Sequence, residues 1–347
     1  MIAIQFVVES VTPCLYTALN TVAPAVAARH QGAAFFIGFM ETPYKKPHLN
    51  FAEQIALLKS RGLAVTDDAI ATSYLERVGY YRLRPYWSPF MIHPEKFGAG
   101  VEFRHAVQLY VFDKKLRLLF LDAIERIEVA IRVDLAHRIG RRDSFGHRSE
   151  QYLDLQRTSK VGRTGETRHQ EWLARADKIE ADSKEHWVSE FRGQFTGNLP
   201  IVMAVELWDF GTVSKLLQMT HLNDRYAIAK KYNIQPDTLI SWVRCLNYVR
   251  NACAHHARLW NKPLVDQPMI PKVWEAKHVQ HVGLDVQRQS RIYGAAAITR
   301  HLLTVTNPQS ELHRWFKAHW ITFPIVPSLG MDSAGFFQNW ENERLWL

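Results

Sequence analysis

The longest uninterrupted pattern of apolar positions in the chain runs from residue 104 to residue 139. This stretch contains neither glycine nor proline, and its apolar side chains recur every three or four residues. Such spacing places them on one face of a helix, which at ~1.5 Å per residue would be roughly 54 Å long. The other face carries charged residues, as a solvated or ion-paired surface does: Glu125, Arg126, Glu128, Arg132 and Asp134. We predict one long helix as the spine of the protein.

Shorter helical patterns lie on both sides of this stretch. Asn50 and Glu53 have the spacing of a capping box in front of an apolar repeat, and Gly62 stands where that helix would end. Strand signals are scarce. The fold class is therefore predicted to be all-α, a helical bundle with additional N-terminal helices. Further helices are expected over residues 68–78, 169–191, 201–219, 223–232 and 286–304.

The stretch GYYRLRPYWSPF, residues 79–90, alternates aromatic residues with Arg82 and Arg84. Its two prolines, Pro85 and Pro89, predict a loop whose rings pack into the core. Aromatic rings beside arginines also suit RNA, because the rings can stack on bases and the guanidinium groups can bind phosphates. Both interpretations stay open.

The chain is predicted to consist of four segments. Residues 40–103 form an N-terminal helical and aromatic-loop region, residues 104–306 form the helical core, and residues 307–347, rich in tryptophan and phenylalanine, form a C-terminal helical tail. Residues 1–39 match neither a signal peptide nor a membrane span. We interpret them as an over-extended reading frame ahead of a start at Met40, outside the fold.

The core is interrupted by a polar, basic insertion at residues 140–200. The insertion contains runs such as GRRDSFGHR and KVGRTGETRH, which have no apolar period. It is predicted to form loops around one helix at residues 169–191. Two roles remain open for it, contact with RNA phosphates or simple solubility.

The charge of the chain is consistent with a nucleic-acid partner. The formal net charge is +9, and 27 arginines stand against 16 lysines. A guanidinium can bind two phosphate oxygens at once, whereas an ammonium acts as a point charge. Many proteins that bind no nucleic acid are equally basic, so charge alone does not decide. Three cysteines cannot build a disulfide framework, which favours a reducing, cytoplasmic location without membrane insertion.

Candidate chemistry is concentrated in RNACAHHARLWN, residues 250–261. Start signals at Pro236 predict a helix that runs past Leu259 and stops before Pro263. On a helical wheel His255 lies at the edge of a polar, cationic face, while His256 falls within the apolar arc and is predicted to be a buried structural residue. The polar face consists of Arg244, Asn247, Arg250, Asn251 and Arg258.

This arrangement argues against two kinds of site. Cys253, His255 and His256 diverge around the wheel by too wide an angle to bind one metal ion, and no CxxC or HExxH spacing accompanies them. Cys253 points to the core, so a cysteine–histidine nucleophile pair fails as well. A polar face with no chemistry remains an alternative, and no metal or other cofactor is expected.

An arginine, an asparagine and a histidine can cleave RNA without a metal. RNA carries its own nucleophile, the ribose 2′-hydroxyl next to the scissile phosphate. A histidine can take that proton or protonate the leaving oxygen, and an arginine can stabilise the phosphate as negative charge builds. An asparagine can orient either group. The products are a 2′,3′-cyclic phosphate and a 5′-hydroxyl.

The segment RNACAH resembles the R-x4-6-H motif of HEPN ribonucleases. Further segments occur in the order seen in abortive-infection proteins of the AbiD/AbiF type, and this resemblance covers about residues 44–262. These segments are YKKPHLNFAEQIALLKSRGL, YLERVGYYRLRPYWSPF, LYVFDKKLRLLFLDAIERIEVAIR, VELWDFGTVSKL and SWVRCLNYVRNACAHHARLWN.

The resemblance implies a HEPN-like all-α fold and metal-independent RNA cleavage at a two-fold interface, in a homodimer restrained by a partner such as a small noncoding RNA. Carried over by position, Arg250, Asn251 and His255 are the catalytic residues. Glu206 and Arg132 are expected to support the site from neighbouring helices, with His256 beside them. The expected RNA contacts are Arg244, Arg258, Arg82 and Arg84.

Three functions of different classes remain. The first is an endoribonuclease toxin of phage defence. The second is a non-catalytic RNA-binding protein that uses the same cationic face. The third is a protein-interaction module in which that face is a dimer seam.

Overall fold

A computed structural model describes residues 47–162 and 164–347 of the chain. The predictions for residues 1–39, including the start at Met40, lie outside the described residues. The rest forms two compact units. One comprises the described residues up to Tyr110 together with Ile325–Ser328, and the other comprises Val111–Pro324 and Leu329–Leu347.

The first unit contains three short helices and a two-stranded antiparallel hairpin. The predicted capping box is confirmed: Asn50 Oδ1 accepts from Glu53 N at 2.9 Å, and Glu53 Oε2 accepts from Asn50 N at 2.7 Å. Gly62 follows the helix with φ +88°, a value that glycine adopts without a Cβ clash. The elements are α1 (Phe51–Ser60), α2 (Asp68–Arg77), α3 (Tyr80–Trp87), a 3-10 turn (Ser88–Phe90), β1 (Met91–His93) and β2 (Lys96–Phe97).

The loop predicted for residues 79–90 is wrong, because most of that stretch is helix α3. Pro85 lies inside the helix and removes one backbone donor. Leu83, Tyr86 and Trp87 are fully buried on one face, and their burial offsets the lost hydrogen bond. Tyr86, Trp87 and Phe90 fill the core, as the packing interpretation expected, whereas Tyr81 and Arg82 are exposed.

The long helix is confirmed as α4 (Phe103–Gly140). Its inner face, including Ile124, Ile127, Ile131 and Leu135, is completely buried. Some charged residues of the opposite face are buried too, because they are ion-paired. Asp134, for example, is paired with Lys231.

The second unit is built from α4, from Val111 onward, and further helices, so the all-α prediction is confirmed. In the described ranges no helix combines the length and hydropathy required to cross a membrane. The helices are α5 (Leu155–Thr158), α6 (Arg168–Asp182), α7 (His186–Gln194), α8 (Ile201–Leu207), α9 (Phe210–Met219), α10 (Leu222–Lys231), α11 (Pro236–Ala254), α12 (Val286–Ser290), α13 (Ile292–Thr306) and α14 (Leu312–Ile321). The 3-10 helices are Gly146–Arg148, Glu150–Tyr152, Lys277–Leu284, Met331–Ala334 and Trp340–Asn342.

The insertion at 140–200 is more ordered than its composition predicts. It holds two main helices, α6 and α7, where one was expected. Trp172 is fully buried, and its Nε1 donates to the Thr212 carbonyl at 2.9 Å. Arg175 pairs with Asp209 at 2.5 Å. The insertion therefore packs against α9, because a few large apolar residues suffice to anchor a mostly polar helix.

The predicted C-terminal tail packs through aromatic rings. The Trp320 and Phe336 ring centroids are 3.7 Å apart, and Trp340 and Trp346 lie edge to face at 5.2 Å. Trp346 Nε1 donates to the Tyr293 hydroxyl of α13 at 3.2 Å. These aromatic residues of the tail are thus part of the core of the second unit.

Candidate functional site

The motif RNACAH spans the last turn of α11 and its C-cap. Pro236 begins this helix, as predicted. The buried residues Trp242, Leu246 and Val249 fix its rotation, so that Arg250 and Asn251 face away from the core. Cys253 is buried as well, and burial raises the pKa of its thiol to about 12. A thiol in this environment stays protonated and is a poor nucleophile.

Helix α11 ends earlier than the wheel assumed. The last helical residue is Ala254, and His255 is the C-cap. His256 adopts φ +56°; its N–H donates to the Cys253 carbonyl at 3.1 Å, and Ala257 N–H donates to the Ala252 carbonyl at 2.8 Å. These two bonds define a Schellman motif. The prediction of a buried His256 is therefore wrong: the wheel does not extend past Ala254, and His256 is exposed.

A buried ion pair on α4 fixes the chain beyond this turn. Asp113, completely buried, accepts from Leu259 N at 3.1 Å and from Trp260 N at 2.8 Å. Arg117 donates to Asp113 Oδ2 at 2.5 Å and to the Ala257 carbonyl at 3.3 Å. Asp113 and Arg117 thus set the geometry of the turn that carries His255. Sequence reasoning missed both, although a charged i,i+4 pair on an apolar helix face was a visible signal.

Arg250 belongs to a charged cluster between α11 and α4. Its Nε lies 3.8 Å from Glu128 Oε2, while Glu128 Oε1 pairs with Arg132. Arg132 also donates to the Val205 carbonyl at the end of α8. Glu128 and Arg132 are largely buried, whereas 36% of the Arg250 side chain is exposed. Two cations share one carboxylate, which leaves the cluster a positive charge near the surface.

Asn251 and His255 lie beside this cluster at the exposed end of α11. Asn251 Nδ2 donates to Asn247 Oδ1 at 3.4 Å. His255 is exposed, and its N–H donates to the Asn251 carbonyl at 2.9 Å. One helical turn, about 5.4 Å, separates the two along the axis. A guanidinium, an amide and an imidazole are therefore carried by the same end of α11.

Part of the predicted cationic face is covered by α9. A Cβ atom built on Gly211 would lie 3.6 Å from Asn247 Oδ1, so the start of α9 packs against Asn247. Arg244 lies beyond this contact, where it is paired with Asp266 and borders a cavity of about 280 Å³ with Arg168 and Lys215. Arg244 is thus in a different environment from Arg250.

The other predicted site residues are Glu206, Arg258, Arg82 and Arg84. Glu206 is exposed and borders a cavity of about 470 Å³ with Asp182 and Lys184. Arg258 follows the end of α11, so the helical phase that grouped it with Arg250 does not apply. Arg82 and Arg84 belong to the first unit. In the described part of the chain, no group of three or more histidine, cysteine or acidic side chains is placed to hold a metal ion.

The family model of Abi-like proteins matches residues 73–261, a range that contains α4, α9 and α11. Neither the curated proteins nor the solved structures contain a match. The matched range ends at the turn that Asp113 and Arg117 hold in place, so the whole candidate site lies within it.

Proposed function

The chain belongs to the Abi-like protein family, and from this premise we propose that it is a metal-independent endoribonuclease of phage defence with a HEPN-like site. The observation that supports this most is the grouping of Arg250, Asn251 and His255 at the exposed end of α11, with Arg250 linked through Glu128 to Arg132. This grouping supplies an anion contact and a proton-transfer group on one surface.

In the proposed reaction the 2′-oxygen of the substrate ribose attacks the adjacent phosphorus. The 2′-oxygen–phosphorus bond forms as the bond from phosphorus to the 5′-oxygen breaks. His255 transfers protons, as a base toward the 2′-hydroxyl or as an acid toward the leaving 5′-oxygen. Arg250 stabilises the charge that builds on the phosphate oxygens, and Asn251 orients the reacting groups. DNA is not cleaved, since it lacks the 2′-hydroxyl.

Two partners complete the proposal. A second copy of the chain would bring a second His255 to the phosphate, so that one imidazole acts as base and the other as acid. A small RNA would restrain the toxin between infections. Light scattering of the purified protein measures whether it is a dimer. The absorbance ratio at 260 and 280 nm detects copurified RNA.

The decisive experiment incubates the protein with a mixed RNA pool in EDTA. We expect fragments with 2′,3′-cyclic phosphate ends. His255→Ala should lower the cleavage rate by about 10² to 10⁴ with little change in RNA affinity, and Arg250→Ala should lower both. His186→Ala, which removes an exposed histidine of α7, is the control and should cleave normally.

A non-catalytic RNA-binding protein predicts a different pattern, because the same cationic helix face could hold phosphates without cleavage. RNA would stay intact, and its affinity would fall as salt rises and in Arg250→Ala but not in His255→Ala. If RNA bound only in proportion to the charge of the protein, a protein-interaction module would be favoured instead.

A further inference from the structure

Helix α4 carries a row of exposed side chains on the face opposite its buried one. They recur with helical spacing and form one strip of surface about 27 Å long. The proposed ribonuclease reaction gives none of them a role. This α4 strip consists of Val111, Lys114, Lys115, Leu118, Asp122, Glu125 and Val129.

The order of residues along the α4 strip is self-complementary. Apolar residues stand at its two ends, Val111 and Val129, and near its middle, where Leu118 is 58% exposed. Two lysines lie between the first end and the middle, and two acidic residues lie between the middle and the second end. Laid antiparallel on a copy of itself, the strip therefore places apolar residues opposite apolar residues and lysines opposite carboxylates.

The same pairing holds around the helix axis. At about 100° per residue, the three apolar residues fall on one line, within about 20° of one another. The charged residues form two lines that flank it, Lys114 with Glu125 on one side and Lys115 with Asp122 on the other. In an antiparallel helix pair each flanking line faces its own copy, so each lysine meets the acidic residue of its own line. All these pairs are centred between residues 118 and 120, within about 3 Å along the helix.

Most charges of the α4 strip are unpaired within the chain. The ion pairs of α4 are formed by its other charged residues, and among the described residues none involves Lys114, Lys115 or Glu125. Asp122 contacts Arg126 one turn further along the same helix, and both side chains are partly exposed. Charges of both signs beside apolar residues can specify the partner and the register of an interface.

We propose that α4 pairs antiparallel with α4 of a second copy through this strip, about a two-fold axis near residue 119. A closed two-fold interface uses the same surface on both copies, so it requires the self-complementarity that the strip shows. A parallel pairing would set lysine against lysine and carboxylate against carboxylate, which is repulsive. An unrelated partner would require no such symmetry.

The axis passes close to the level of His255. Arg250 Nε lies 3.8 Å from Glu128 Oε2 of α4, and Arg117 of α4 donates to the Ala257 carbonyl at 3.3 Å. His255 lies between these two contacts along the chain. It is therefore opposite the part of α4 that contains residue 119.

Glu128 also shows on which side of the strip α11 lies. Around α4 it is adjacent to the line of Lys114 and Glu125. A two-fold axis that lies in the interface, perpendicular to both helices, leaves each side of the pair unchanged, so α11 of each copy lies on the same side. The association surface follows from α4 alone. Its role in bringing two His255 imidazoles to one phosphate rests on the proposed function.

The test is sedimentation equilibrium of the full chain carrying His255→Ala, freed of nucleic acid, from about 1 to 100 μM. We expect a reversible dimer. Leu118→Glu buries a charge at the centre of the interface and should raise the dissociation constant at least about tenfold. Leu222→Glu, which alters an exposed leucine at the start of α10, is the control and should leave the dissociation constant unchanged.

Charge reversal tests the orientation of the two helices. Lys114→Glu alone or Glu125→Lys alone sets like charges opposite each other twice in the dimer, so either should raise the dissociation constant about tenfold. The double variant restores opposite charges and should return to within about threefold of the unaltered value. Residues 114 and 125 are about 16 Å apart along α4 and do not contact each other within one chain, so this recovery can arise only between copies.

Three results would overturn the proposal: a monomer at all concentrations up to about 100 μM, a dimer that Leu118→Glu leaves unchanged, or no recovery in the double variant. RNA cleavage by the chain with His255 intact separates this proposal from the proposed function. A dimer with the expected properties that leaves RNA intact would overturn only the ribonuclease. A monomer that cleaves RNA would overturn only the pairing of α4.

Discussion

His256 occupies a backbone conformation in which glycine is the usual residue. Its φ of +56° closes the Schellman turn after α11, and a Cβ atom makes this region unfavourable by about 1 kcal/mol. We predict that His256→Gly is more stable than His256→Ala by roughly that amount. Both variants lose the imidazole and its contacts, so their difference in free energy of unfolding isolates the backbone.

Urea denaturation of the two variants measures this difference. If His256→Ala were as stable as His256→Gly, the left-handed conformation at this position would not be the one that the protein adopts.

Glu128 is the residue on which the two arginines of the candidate site depend. It contacts both Arg132 and Arg250 and is largely buried. Removing one member of a buried ion pair leaves the others uncompensated, so Glu128→Ala should lower the free energy of unfolding by about 3 kcal/mol. Glu125, one turn earlier on α4, is exposed, and Glu125→Ala should change the stability by less than about 0.5 kcal/mol. If Glu128→Ala lowered the free energy of unfolding no more than Glu125→Ala does, the cluster would contribute nothing to stability.

The sequence predicted those helices correctly whose signals are local. It did not predict features that depend on residues far apart in the chain. The capping box before α1 and the apolar repeat of α4 depend on residues within a few turns of one another, and both are confirmed. The end of α11 depends on Asp113, which is far away in the chain, and on His256, which stands where glycine is usual. The sequence near Ala254 therefore contains no residue typical of a helix end. Proline made α3 look like a loop, because burial of its large side chains cannot be read from the chain alone.

The residues of the candidate site differ in the same way. The face that carries Arg250 and Asn251 was predicted, since helical spacing determines it. Glu128 was noticed only as a member of a charged face, because its partner lies on another helix. His256 and Arg258 were misplaced, as both follow the unforeseen end of α11.

The insertion gives an element-scale prediction. Trp172 of α6 is buried and bonded to the Thr212 carbonyl of α9, so Trp172→Ala should destabilise the fold by about 3 to 5 kcal/mol. Phe195, also in the insertion, is exposed, and Phe195→Ala should have little effect. Chemical denaturation of both variants tests whether the insertion is part of the core; a small loss for Trp172→Ala would mean that it folds separately.

At the scale of the whole molecule, buried histidines make stability depend on pH. Burial lowers the pKa of His147 to about 3 and the pKa values of His301 and His319 to about 4. In the unfolded chain these groups titrate near 6.5, so below that pH the unfolded state binds more protons than the folded state. Stability should be retained above pH 6.5 and fall toward pH 4, by on the order of 1 kcal/mol per pH unit for each group.

The melting temperature measured from pH 7 to pH 4.5 tests this dependence. His147→Phe should make the fall shallower, since the His147 ring packs beside Trp172 and Trp208 and neither ring nitrogen has a hydrogen-bond partner in the described ranges. His186→Gln alters an exposed histidine and should leave the slope unchanged. A melting temperature that stayed constant across this range would contradict the lowered pKa values of the buried histidines.

The contact between Asp113 and Leu259 joins residues 146 positions apart. A contact of such sequence separation forms late, because the loop between its ends must be closed first. During synthesis the turn that carries His255 cannot reach its final geometry until the chain beyond Trp260 has left the ribosome. Under the proposed function, a nascent chain therefore carries no complete ribonuclease site.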